Sequence, residues 1–198
     1  MSTVDSGAGD CHQAQVYSDL KLAVRNVMST ESQDAAVDGR SWNINTGIIT
    51  SVSGATNALL YFENEAVDDA DFFVDAIAFG ASDGSATDVI ALAYIQSPTG
   101  GTLFDAATDC DMIRNRRGKS GKALSSSSKA YKATASGQTI TGGNDAALFF
   151  TNDQGRLFAS VDFIIPKGDS CGLRLDTLSS SFNGNVYGAL IGHYRKVL

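Results

Sequence analysis

The pentapeptide GASDG at positions 80–84 is the first candidate for chemistry in this sequence. It matches the G-x-S-x-G pattern, in which a sharp turn after a strand presents a serine as a nucleophile. Ser82 would be that nucleophile, with His193 downstream as its base. Asp162, Asp169 and Asp176 lie between them and could supply the acid of a Ser…Asp…His order. The segment after Gly84 favours another strand where the motif needs a helix, so a hairpin turn explains the same letters and a Ser82 hydrolase is a remote alternative.

A second candidate is the basic window 111–132, which holds seven of the fifteen Lys and Arg in a chain of formal charge −7. Its GKS at 118–120 ends like a phosphate-binding loop, but Ile113 stands where that motif needs a glycine. Tyr131 is the window's one aromatic for base stacking, and the rest of the chain is acidic, so we expect no nucleic-acid partner. We expect the window to dock on an acidic protein neighbour. The expected docking charges are Arg114, Arg116, Arg117, Lys119 and Lys122.

Residues that could hold a metal are few and scattered. The three cysteines, Cys11, Cys110 and Cys171, form neither a disulfide framework nor a CxxC clip, so we expect free, buried thiols made in a reducing cytosol. Cys11–His12 and His193 are too few ligands for a closed site. The acidic run 67–75 lacks the calcium-loop pattern, and a charged turn explains it better than a surface cation held by Asp68, Asp69 and Asp71. We expect no metal and no cofactor.

The length of 198 residues favours one domain, or one domain with an appendage. Residues 1–38 are predicted to form an N-terminal arm: a polar leader followed by one short helix or strand around 16–28. We expect no secretory signal in the N-terminal residues, and no apolar run approaches the ~20 residues that cross a bilayer, so no membrane partner is expected.

Residues 39–198 are predicted to form one all-β domain, because short apolar runs alternate with turns rich in Gly, Asn, Asp and Ser. About nine strands and no long helix favour an antiparallel β-sandwich with jelly-roll topology. The expected strands lie near 47–53, 57–63, 71–79, 88–96, 129–135, 146–151, 156–165, 170–176 and 186–195.

Several of these strands are apolar on both faces, although a strand in a lone sandwich has one wet face. In 71–79 and 156–165, large hydrophobic residues occupy both phases of the alternation. Neighbouring subunits would cover the second faces most economically, so we expect a homo-oligomer. The expected interface residues are Phe72, Val74, Phe158 and Ile164.

Beyond these patterns, GRSWNINTGIIT at 39–50 and ALLYFENE at 58–65 resemble the opening strands of a group of tailed-bacteriophage virion proteins. The hairpin and turn phrases in 77–102, the segment 115–133 and the closing GALIGHYRK at 188–196 resemble later parts of the same group. The resemblance covers about 38–197 and rests on turn and strand phrases. It implies a β-sandwich on the outside of the virion, either a head decoration (cement) protein or a spike.

Together these observations predict a non-enzymatic phage structural protein that binds and stabilises the head shell as a homotrimer. It would be made in the host cytoplasm and reside on the outer surface of the virion head, with the major capsid protein or other virion proteins as partners. The main alternative is a receptor-binding head or tail spike or fibre that recognises host glycans.

Overall fold

The computed structural model describes residues 33, 35–36, 39–53, 56–65, 69–83, 89–103, 108–114, 128–134, 136–152, 155–177 and 182–196. Strands dominate this part of the chain. They are β1 (Ser41–Asn45), β2 (Ile49–Ser53), β3 (Thr56–Glu63), β4 (Ala70–Asp83), β5 (Val89–Gln96), β6 (Asp111–Arg114), β7 (Lys129–Lys132), β8 (Asn144–Asn152), β9 (Arg156–Ile165), β10 (Ser170–Thr177) and β11 (Asn183–Lys196).

The strands form two antiparallel sheets that pack face to face. Sheet A has the order β6-β1-β11-β4-β9, with β2 added beside β11, and sheet B has the order β7-β3-β10-β5-β8. The predicted all-β antiparallel sandwich is therefore confirmed. Strands β6 and β7 lie at one edge of the sandwich, and β8 and β9 lie at the opposite edge.

Two described strands were not predicted. β1 (SWNIN) carries few apolar residues, yet it lies between β6 and β11 in sheet A. β6 (DMIR) stands at the start of the basic window, where composition favoured a loop. Most of the predicted arm 1–38, including the segment at 16–28, lies outside the described residues, so the domain boundary stays a prediction.

Aromatic rings from both sheets meet in the core. Tyr94 of β5 stacks on Phe163 of β9, with ring centroids 4.3 Å apart and planes at 13°. Phe72 of β4 packs against Phe62 of β3 and against Tyr194 of β11, each at 5.0 Å between centroids. Such pairs add about 0.5–1.5 kcal/mol each beyond the burial of their area. They fix the separation and alignment of the sheets.

A β-bulge in β4 explains one of the two-sided apolar patterns. The pairing with β9 and β11 shifts register around Asp75, between Val74 and Ala76. A bulge moves the alternation on by one residue. Phe72 and Val74 point into the core before the bulge, and Ile77 and Phe79 point into it after the bulge. Both phases of the sequence pattern therefore serve the same buried face.

The second face of β5 is covered by the chain itself. Ala91, Ala93 and Ile95 on that face are buried. Ile95 pairs with Gly172 of β10, and a side chain at position 172 would collide with Ile140, which packs over this spot. The segment that carries Ile140 is held by backbone hydrogen bonds to 99–103, such as Leu103 N to Thr139 O at 3.1 Å. No second subunit is needed here.

The end of β9 is anchored by a buried asparagine. The side-chain amide of Asn64 donates to the carbonyl of Ala70 at 3.0 Å and to that of Ile165 at 2.9 Å. The backbone of Asn64 also bonds to Gly168 and Asp169 in the turn after β9. These bonds satisfy the amide's two donors in the interior, where leaving them unpaired would cost about 1–3 kcal/mol. They fix where the outermost strand of sheet A stops.

Candidate functional site

The β8–β9 edge of the sandwich carries an exposed apolar surface. Four of the five large hydrophobic side chains that the described residues expose lie on these two strands. They are Leu148 (50 % exposed) and Phe150 (61 %) on β8, and Phe158 (67 %) and Ile164 (46 %) on β9. Ala147, Phe149, Leu157, Val161 and Phe163 point toward the core but are only partly buried. Both faces of both strands therefore carry apolar side chains, and the outer face of β9 also carries Arg156, Ser160 and Asp162.

Both strands end their sheets. Within the described residues, β8 pairs only with β5 and β9 pairs only with β4. An exposed edge strand presents unpaired backbone groups and invites another strand, and natural proteins usually shorten or charge such strands. β9 is ten residues long, and its sequence RLFASVDFII contains two charged residues, Arg156 and Asp162, but neither Lys nor Pro. The β8–β9 edge thus has the properties of an interface that a partner covers.

Charges beside the apolar surface are few and ordered. Arg174 of β10 donates from Nη2 to Asp145 of β8 at 2.9 Å, and from Nε and Nη2 to Asp176 at 2.8–3.1 Å. Hydrogen bonds to Asp176, and then to Asp145, raise the pKa of this guanidinium against the opposing effect of burial. The Arg174 network ties the start of β8 to the middle of sheet B. It supports the edge strand from within.

Two of the four predicted interface residues are placed elsewhere. Phe72 and Val74 are fully buried in the core of a single chain, because the β4 bulge turns both inward. Their assignment to a subunit interface was wrong. Phe158 and Ile164 are exposed on the outer face of β9, but whether they contact a second subunit stays a prediction. Leu148 and Phe150 of β8 were missed, although the run AALFFT has the same two-sided pattern as β9.

The basic window joins the two sheets at the edge opposite β8 and β9. It begins in β6 and ends in β7, which pair with β1 and β3. Arg114 lies at the end of β6, and nothing is described of its side chain. Arg116, Arg117, Lys119 and Lys122 lie outside the described residues, so their docking role stays a prediction.

The last basic residues of the window face acids of the same chain. Lys129 Nζ lies 3.0 Å from Glu63 Oε2, and this pairing raises the pKa of the ammonium group. The predicted docking charge is therefore partly used within the chain at the window's β7 end.

The structure does not assemble the predicted serine site. Ser82 pairs with Asn185 near one end of β4, whereas His193 pairs with Phe73 near the other end. Nine residues of extended strand separate these positions, which is ~30 Å. The remote alternative of a Ser82 hydrolase therefore lacks His193 as a base in this structure, and Ser82 is an exposed residue of a strand.

His193 has a different acid as its partner. Its Nδ1 lies 2.9 Å from Oδ2 of Asp75, at the β4 bulge. The ring is buried and stacks on Phe73 at 5.6 Å, and Arg195 lies over the same Phe73 ring at 5.7 Å. The pair links β4 to β11 on the outer face of sheet A.

The described acids among the candidate metal ligands have partners in the turn after β9. No group of three or more His, Cys, Asp or Glu residues that could hold a metal occurs in the described ranges. Asp69 pairs with Lys167, and Asp71 accepts a hydrogen bond from the Lys167 amide at 3.2 Å, so these acids bind the turn after β9. Cys11, His12 and Asp68 lie outside the described residues.

The prediction of free, buried thiols is confirmed for two of the three cysteines, Cys110 and Cys171. Burial raises the pKa of the Cys110 thiol to about 12 and that of Cys171 further. Both thiols are therefore neutral and unreactive at neutral pH.

Comparison with protein-family models, with curated proteins and with solved structures finds no match for this chain. The part of the chain that the structure describes holds no apolar helix of membrane-spanning length.

Proposed function

We propose that this chain is a non-enzymatic structural protein of a bacteriophage virion. In this role it binds the outer surface of the head as a homo-oligomer and stabilises the shell. The observation that carries the proposal is the β8–β9 edge, which holds four of the five large hydrophobic side chains that the described residues expose. Patches of this kind mark protein–protein contact sites. A role in assembly accounts for such a surface without any reactive group.

The placement of the phage-like phrases also supports the proposal. GASDG lies at the end of β4, PTGGT lies in the turn after β5, and GALIGHYRK lies within β11. Each phrase falls on a strand or turn, as the resemblance to virion proteins implies. None of them forms part of a cluster of reactive side chains among the described residues.

Jelly-roll topology is part of the same proposal. When β2, β6 and β7 are set aside, eight strands remain, and their chain order is 1-8-3-6 in sheet A and 2-7-4-5 in sheet B. Two interlocked Greek keys produce this order. Viral capsid domains commonly use jelly rolls, which makes the topology compatible with a virion role. On this view β6 and β7 border an insertion that carries the basic window.

In the proposed mechanism the two edges of the sandwich bind different partners. The β8–β9 edge joins subunits through apolar contacts, and the basic window meets an acidic surface of the major capsid protein. Charges chiefly guide the encounter and set the register, whereas apolar burial supplies most of the binding free energy. β6 and β7, which border the basic window, lie at the edge opposite β8 and β9, so we expect that a subunit can use both surfaces at once.

Electron microscopy of virions that carry the protein tests the location. Antibody-gold labelling on the head lattice would support decoration. Labelling confined to the tail would contradict it and favour the receptor-binding alternative.

A second experiment tests the basic window on purified shells. The variant R114E/R116E/R117E should lose binding in moderate salt, and a matched control, K167E, should retain it because Lys167 lies in the turn after β9. Normal decoration by the triple variant would remove these arginines from the docking role.

A further inference from the structure

We propose that β9 pairs antiparallel with β9 of a second copy, across a two-fold axis at Ala159. The pairing would extend sheet A continuously from one subunit into the other. The inference rests on the proposed function only in that both use the β8–β9 edge for self-association. It replaces the expected homotrimer with a two-fold contact.

The charges of β9 are complementary to themselves under this rotation. Arg156 and Asp162 both lie on the exposed face and stand three residues before and three residues after Ala159. An antiparallel pair centred on Ala159 places Arg156 opposite Asp162 of the partner subunit, and the symmetry repeats the pair. Directly opposed residues of an antiparallel pair share a face, and opposite charges there are favourable. A one-residue slip would remove both pairs at once.

These two charges have no such partner within their own chain. No ion pair of Arg156 or Asp162 occurs among the described residues, and six residues of strand, or ~20 Å, separate them. The alternation of exposure along β9 is unbroken from Arg156 to Ile164, so both side chains project from the same face. An isologous contact requires a surface that is complementary to itself. Two opposite charges at equal distances from Ala159 have this property.

The apolar residues fit the same register. Leu157 would lie opposite Val161 of the partner subunit on the core-facing side, and both are only partly buried in one chain. The small Ala159 sits on the axis, where two identical side chains must meet. Phe158 would lie opposite Ser160 of the partner subunit, which leaves room for the ring. The contact would therefore bury the aromatic surface without a clash at the centre.

The rotation also brings the two copies of β8 together. β8 is the edge strand of sheet B opposite β9, so the two copies of β8 would approach each other side by side, and Leu148 and Phe150 on the outer face of sheet B would border this contact. The shared edge is about 30 Å long and, across two sheets packed about 10 Å apart with their outer side chains, about 20–25 Å thick. The area of this edge approaches the roughly 800 Å² that each partner buries in a standard interface.

Charge reversal with rescue tests the pairing. Sedimentation velocity of the full chain at tens of micromolar should give a dimer. R156D and D162R should each weaken association at least ten-fold, because each places like charges opposite one another twice. The double variant R156D/D162R should restore association. K129D makes the same charge change as R156D at the opposite edge and should leave association unchanged.

Mixing the two single variants sharpens the test. An R156D chain carries acids at both positions and a D162R chain carries bases at both, so each variant repels a second copy of itself. Paired with one another, the two chains restore both opposite-charge contacts. Equal amounts should therefore form a heterodimer although neither variant associates alone. A trimeric or monomeric wild type, or single variants that no combination rescues, would overturn the proposed register.

A cross-link keeps the inference testable if a charge variant folds poorly. A159C in a C11S background should form a covalent dimer under mild oxidation, since the new thiols would meet on the axis, whereas I48C in the same background should not. Equal cross-linking of both variants would contradict the axis. If R156D/D162R forms a dimer but does not bind virions, only the proposed function is refuted. If R156D/D162R binds virions but does not form a dimer, only the two-fold register is refuted.

Discussion

Strands β4 and β5 in the middle of the sandwich differ from strands β8 and β9 at its edge, although all four have hydrophobic residues in both phases of their sequence. In β4 the bulge at Asp75 turns both phases into one core, and in β5 the segment around Ile140 covers the second face. In β8 and β9 the second face stays exposed. A strand with apolar residues on both faces therefore indicates that both faces are buried. The pattern does not tell whether the same chain or a second subunit buries the outer face.

The largest change in stability is expected for a buried residue in the middle of the sandwich. F72A in β4 should lower the free energy of unfolding by about 3–5 kcal/mol, because it empties a fully buried site between Phe62 and Tyr194. Urea unfolding of dilute protein measures the change. The matched variant F158A in β9 should cost under about 1 kcal/mol in the same assay, as an exposed residue of a single chain does. Equal losses for the two variants would break the distinction.

The next effect concerns association. F150D/F158D should weaken self-association about 100-fold or more, equivalent to ~2.8 kcal/mol, because it puts charges into the centre of the apolar edge. The control is I48D, since Ile48 is also strongly exposed but lies between β1 and β2. Sedimentation velocity over a concentration series compares the three proteins. An unchanged dissociation constant for F150D/F158D would show that the β8–β9 edge is not the interface.

A smaller effect should appear at alkaline pH. Burial raises the pKa of Cys110 from 9.0 to about 12, so the folded chain keeps its proton while the unfolded chain loses it. The folded state then binds more protons, and its stability falls as pH rises from about 9 to about 12, by up to ~1.4 kcal/mol per pH unit for this group. Chemical unfolding at pH 8, 9 and 10 measures the slope. C110A should have a shallower slope, and an identical one would contradict the assignment.

The smallest effect is expected at the charged edge opposite β8 and β9. K129A removes the ion pair with Glu63, which is largely solvent-exposed, so the loss should be under about 1 kcal/mol. Association should not change, because β7 lies across the sandwich from the apolar edge. Thermal unfolding and sedimentation together check both statements. A large loss of association would mean that the charged edge, too, joins subunits.

Much of the fold could be predicted from local patterns. The runs that became β3, β4, β5, β9 and β11 have strong alternation and clear turn signals, and Gly-rich turns such as TGGND adopt positive φ at Gly142 and Gly143. β1 and β6 were missed because SWNIN and DMIR are polar enough to read as loops, and only their pairing partners make them strands.

The candidate site was predicted in part, for a physical reason. Phe158 and Ile164 belong to a strand whose exposure alternates without a break, so their outward phase followed from alternation. Phe72 and Val74 were assigned to the wrong face because a β-bulge changes phase without a distinct sequence signal at Asp75. The partner of His193 was missed for the same reason, since the bulge brings Asp75 beside it from 118 residues away.

Hydrogen–deuterium exchange of the native chain in dilute and in concentrated solution measures whether a second copy covers the β8–β9 edge. In 144–152 and 156–165, the amides that do not bond to β5 or β4 should exchange quickly when the protein is dilute and slow markedly on concentration, because a second copy covers the edge. Amides in 70–83 and 89–96 should be protected at both concentrations, since the chain covers them itself. Edge strands whose exchange is unaffected by concentration would contradict the account.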